Sequence, residues 1–210
     1  MAATSWVTGT LLVGGALAFM LLRERWRLRA LEALATARNF ELIRPFVPEA
    51  QALPAKEVSD MFSPRGAIRW GAGMRGELDG VAVWILECEA SRAGRTSAWY
   101  TLVAWPVAGP RAALVLGPAA WRQFSFIDLP EAPASPVPPD PGGWEVTGES
   151  EERAAWLTPG RSAAMAAFSP PCVIAIRSGY ACFRVEGPIT PARVGTAEAM
   201  LAEIRKKLDL

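Results

Sequence analysis

The segment Gly71-Ala72-Gly73-Met74-Arg75-Gly76 spells G-x-G-x-x-G, the spacing that lets a backbone approach a pyrophosphate. That chemistry needs a helix to follow, because the amides at a helix N-terminus hold the phosphate. Here the next residues, Val81–Glu89, read as a strand, so the glycines are expected to bend a strand or admit a neighbouring side chain. Cys88, Cys172 and Cys182 are odd in number and lack C-x-x-C spacing, which suits free, half-buried thiols in a reducing compartment. Glu87 and Glu89 share one strand face, but acid/base work needs a cleft and a raised pKa that the sequence does not supply. The acids Asp128, Glu149, Glu151 and Glu152 are in the same position. The chain contains no histidine, which excludes imidazole general bases, Ser-His and Cys-His pairs, His-ligated zinc and His-ligated haem. No catalytic residue, metal ligand or cofactor is expected, and the chain reads as not an enzyme.

Nine tryptophans are a different signal. Indole is favoured at protein interfaces and membrane boundaries, where an apolar ring and a wet N–H are both satisfied. Several of the nine are nonetheless expected in the core. A formal net charge of +1 lacks the basic surplus that phosphate backbones require, so nucleic acid is not an expected partner. The 51% hydrophobic content is too high for a disordered chain.

The elements that position these residues form an expected α+β domain over residues 64–210. AIRWGAGMRGEL and VAVWILECEA flank Asp79-Gly80, a strong hairpin signal. SAWYTLVAWPV and AALVL continue it as an antiparallel meander. Residues 130–143 hold six prolines and two glycines and read as a semi-extended crossing. Beyond it, Glu151–Leu157 reads as a short helix, and Thr158-Pro159 starts a second through about Phe168. CVIAIR and YACFRV then form a hairpin around Ser178-Gly179, with Ile176 facing Ala181, Ile174 facing Phe183 and Cys172 facing Val185. The expected ribbon has one buried face and one wetter face carrying Arg177, Tyr180 and Arg184. Thr190-Pro191 opens a closing helix lined by Ala197, Leu201 and Ile204.

The N-terminus carries no charged side chain from Met1 to Leu22 and then RERWRLR. About 20 apolar residues suffice to cross a hydrocarbon core of about 30 Å, so residues 1–22 are expected as a retained transmembrane helix. Arg23, Arg25, Arg27 and Arg29 place the bulk of the chain on the cytoplasmic side of a bacterial inner membrane, with the N-terminus outside. Trp6 and Trp26 bracket the span as interfacial anchors. Thr10, Gly14 and Ala18 fall on one helix face that admits a partner helix. Residues 23–63 are expected to be a juxtamembrane helix and connector, with one short helix near Lys56–Phe62.

The stretch Gly148-Glu149-Ser150, Ala154-Ala155-Trp156-Leu157-Thr158-Pro159, the hairpin and the closing helix resemble a loose group of uncharacterised bacterial proteins. In these a membrane segment precedes a β-rich cytoplasmic domain, and the resemblance covers roughly residues 64–208. On architecture alone, the chain also resembles accessory single-span subunits of bacterial reaction-centre and light-harvesting assemblies. The expectation is a non-catalytic accessory subunit of a multi-subunit inner-membrane complex, photosynthetic or respiratory, contacting lipid bilayer and other membrane subunits. A membrane-tethered module that binds a ligand or peptide is the alternative.

Overall fold

The computed structural model describes residues 2–44, 68–90, 98–108, 114–118, 144–148, 150–167, 172–177 and 179–210, with side chains of the first helix described from Val13. The proline-rich crossing at 130–143, the helix near Lys56–Phe62, and the turn residues 91–96, Gly109-Pro110 and Ser178 lie outside the described residues.

Helix α1 (Ala2–Ala37) leads into strand β1 (Glu41–Ile43). The chain continues through β2 (Ile68–Leu78), β3 (Val81–Ala90), β4 (Ala98–Pro106), β5 (Leu114–Pro118) and β6 (Trp144–Thr147). Helices α2 (Ser150–Trp156) and α3 (Pro159–Ala167), the β7 (Ile174–Arg177)–β8 (Tyr180–Glu186) hairpin and helix α4 (Pro191–Leu208) complete it.

All eight strands join one antiparallel sheet in the order β1-β2-β3-β4-β8-β7-β5-β6. This corrects the expected four-strand meander, because β5 lies beyond the β7–β8 hairpin and not beside β4. The two halves merge because β4 pairs with β8 along its length, Thr101 opposite Val185 and Trp105 opposite Ala181. Asp79 and Gly80 both take positive φ (49° and 75°) in the β2–β3 turn, the twist that a two-residue hairpin needs. The β7–β8 register is the expected one, Ile174 opposite Phe183 and Ile176 opposite Ala181.

Strand alternation divides the core into two layers. Met74, Val83, Ile85, Val103, Trp105, Leu116, Ile174, Ile176 and Phe183 pack with Leu31 and Ala35 of α1 and with Val194, Ala197, Leu201 and Ile204 of α4. Trp105 and Phe183 meet edge to face, with ring centroids 5.9 Å apart. Leu86, Cys88, Leu102, Ala104, Val115, Ala175 and Cys182 form the layer on the other face. The hairpin face expected to be wetter therefore buries Ala175 and Cys182, because β7 and β8 are interior strands with neighbours on both sides. Thr190 caps α4, accepting a hydrogen bond from the Arg193 amide, with Pro191 in the first turn as the sequence suggests.

Helix α1 runs without a break past residue 22 to Ala37 and turns at Asn39, which takes the left-handed conformation. Among the described residues no helix is long and apolar enough to cross a membrane. The expected transmembrane helix at 1–22, and with it the single-pass inner-membrane placement, is corrected accordingly.

Candidate functional site

Glu87 lies in the middle of β3, fully buried, on the face shared with Val83 and Ile85. A carboxylate there must find donors, since burying an unpaired charge is prohibitive. The fold supplies them from three separate segments. On β2, the pairing steps from Trp70–Cys88 to Gly73–Leu86, so Gly71 and Ala72 together oppose Glu87 in a bulge. The amide of Ala72 donates to Glu87 Oε2 at 3.3 Å. From the segment that leads into α4, the amide of Ile189 donates to Oε1 at 3.1 Å. From α1, the Arg27 guanidinium meets both carboxylate oxygens, Nη2 lying 3.0 Å from Oε2. Gly71 has no alternative residue here, because a Cβ would collide with Oε2. Gly76 makes the equivalent room for the Phe40 ring. The glycine pattern is thus a pair of notches, one for a carboxylate and one for an aromatic ring.

Arg27 has a second partner. Glu24, one turn earlier on α1, accepts from Nε at 3.1 Å and from Nη2 at 3.0 Å. Burial pulls the guanidinium pKa down, but the hydrogen bonds to Glu87 and Glu24 outweigh it, leaving Arg27 above the ordinary arginine value. The segment around Ile189 is held elsewhere too: Thr101 Oγ1 donates to the Gly187 carbonyl, and Arg193 donates to the carbonyls of Glu186 and Pro188.

The thiols are chemically quiet. Burial pushes Cys88 and Cys172 up to about 12 and raises Cys182 as well, so all three stay protonated at neutral pH. Beside α4, a cavity of about 230 Å³ is lined by Arg38, Asp79, Glu198 and Arg205, but its charges balance and Arg38 is already paired with Glu198.

The same helix has two characters. Arg27, Leu31, Leu34, Ala35 and Arg38 form one row at helical spacing, and this row seats α1: Leu31 and Ala35 enter the core, and Arg38 pairs with Glu198 of α4. Val13, Leu17 and Met20 continue that row toward the N-terminus, yet they are exposed, as are Phe19, Leu21, Leu22 and Trp26, at 51–69% each. The helix therefore outruns the body: beyond Arg27 an arm extends about 21 Å to Val13, charged at Arg25, Glu24 and Arg23 and without a charge from Leu22 to Val13. Apolar side chains point outward all round it, and a helix of that kind is normally covered by something else.

The residues expected at a membrane interface separate along this arm. Arg23, Arg25, Trp26 and Arg29 are exposed, whereas Arg27 turns inward to Glu87. Gly14 and Ala18 are exposed, with open space around Gly14; the side chains of Trp6 and Thr10 lie outside the described residues. Sequence inspection missed the Arg27–Glu87 pair. Its signal was the count from the Asp79-Gly80 turn, which sets Ala72 opposite Glu87.

No protein-family profile matches the chain, and no curated protein matches it. Among solved structures, the chain is similar to the crystal structure of the mycobacterial trehalose monomycolate transport factor A, TtfA. The likeness has a TM-score of 0.51 at 16% identity, spanning 86% of this chain and 92% of that one. It concerns the fold. The single-span architecture on which the photosynthetic and light-harvesting expectations rested is not found among the described helices.

Proposed function

We propose that this protein is a non-catalytic accessory factor of a multi-subunit assembly, engaging a partner subunit through the apolar arm of α1. Transport is the process suggested by the name of the protein that shares its fold. The observation that carries the proposal is the arm itself: seven large apolar side chains stand exposed on a helix whose other end is fixed in the core. The chemistry-bearing groups point the same way, since the buried carboxylate is engaged with Arg27 and two amides and the thiols are held protonated. The partner surface that fits is an apolar helix, which would bury the arm without leaving backbone groups unpaired.

The test places a photo-crosslinking amino acid at Leu17 or Leu21 of the full chain in cells, with Glu32 on the exposed side of the seated half as control. One discrete, stoichiometric adduct at the arm positions, absent at Glu32 and absent after Leu17→Asp with Leu21→Asp, supports the proposal. Retention of the purified chain on lipid vesicles without any protein adduct overturns it, as does turnover of a substrate by the purified chain.

A further inference from the structure

We infer that the Arg27–Glu87 pair is a latch that opens, switching α1 between a seated and a released orientation. A buried ion pair normally cannot part without stranding a charge. This one is arranged so that each half keeps partners. Arg27 retains Glu24, which travels with it on the same helix and already holds Nε and Nη2. Glu87 retains the amides of Ala72 and Ile189, which belong to the body. Toward the N-terminus, Arg27 is also the last residue of the seating row with a partner in the body; Val13, Leu17 and Met20 beyond it are exposed. The latch therefore sits where a load on the arm is first felt. Because two states with differential contacts suffice for coupling, anything that binds the arm in one orientation shifts the equilibrium at Glu87.

The inference goes beyond the docking proposal, and its test uses the full chain alone, so its failure leaves partner capture at Leu17 and Leu21 unaffected. Nitroxide labels at Leu21→Cys on the arm and Ala199→Cys on α4 report the arm's orientation by double electron–electron resonance in mild non-ionic detergent. The native thiols are buried and do not compete for label. Arg27→Gln is expected to add a second distance component, raising it from at most a few per cent of molecules to roughly half. Glu24→Gln is expected to shrink that component, because the released arginine loses its fallback partner. Where Arg27→Gln does not fold, Arg27→Lys keeps the charge, cannot fork both carboxylates, and is expected to broaden the distribution likewise. Hydrogen exchange at Ile189 should stay slow throughout, since Glu87 remains its acceptor. A single, unchanged distance in both Arg27 variants overturns the inference, and so does loss of Ile189 protection whenever the arm moves.

Discussion

Replacing Arg27 by methionine keeps the bulk of the side chain and removes only its charge and donors. Glu87 then remains fully buried with two amide donors in place of four hydrogen-bonding contacts. Removing one member of a buried pair costs about 3–5 kcal/mol. Arg27 is 27% exposed, so solvent screens part of its attraction, and the two amides soften the loss; about 2–3 kcal/mol is the expected cost. With a urea m-value of about 2.5 kcal/mol/M, the unfolding midpoint should fall by about 1 M. Arg29→Met, at an exposed position on the same helix, should stay within about 0.5 kcal/mol of the parent. Glu87→Met strands the amides of Ala72 and Ile189, at about 1–3 kcal/mol each. The double variant should cost less than the two singles together by at least about 1 kcal/mol. Chemical denaturation of the parent and the four variants, followed by tryptophan fluorescence, reads all of this. If Arg27→Met unfolds within about 0.2 M of the parent, the pair contributes nothing and the account of the buried carboxylate is wrong.

Thiol burial sets an alkaline limit: an unfolded thiol ionises near about 8.5, so stability holds below that pH and falls above it until the folded thiols ionise near 12. The expected slope approaches about 1.4 kcal/mol per pH unit for each of Cys88 and Cys172, measurable as a falling urea midpoint between pH 8.5 and 10.5. Gly76→Ala drives a Cβ into the Phe40 ring and should cost about 1–3 kcal/mol, whereas Gly76→Ala combined with Phe40→Ala should cost less than the two separately. Among the described residues the buried Thr147 hydroxyl has no hydrogen-bond partner, so Thr147→Val should raise stability by about 1 kcal/mol in thermal unfolding.

Local pairing was legible because its determinants are adjacent in the chain. Asp79-Gly80 can supply two consecutive positive φ values, and the alternation through Ile174, Ile176, Ala181 and Phe183 admits one register with a buried face. Helix starts were legible at Thr158-Pro159 and Thr190-Pro191 for the same reason: the capping hydroxyl sits three residues from the amide it accepts. The β4–β8 pairing was not legible, since strands about 80 residues apart carry no mutual sequence signal and either would satisfy an edge. Glu87 was hidden differently. Its periodicity places it on the core face, but its counter-ion lies 60 residues away on a helix, in an arginine cluster that reads equally well as a topology signal. The apolar start of α1 reads in sequence as a membrane span because lipid and a covering protein reward the same side chains.

Among the contacts that seat α1, Phe40 in the notch at Gly76 and Arg27 on Glu87 mark the two ends. A helix advances about 100° per residue, so the phase between these points is set by the number of residues separating them. Inserting one alanine at an exposed site between them would swing the guanidinium about 100° around the helix, away from Glu87, with Phe40 still anchored. Inserting seven nearly restores the angle but carries Arg27 about 10 Å past the carboxylate. Natural variation in length is thus forbidden between Arg27 and Phe40, whereas the arm upstream of Arg27 can lengthen or shorten without disturbing the seat. Drift in helix length should accumulate on that side of the arginine and nowhere else.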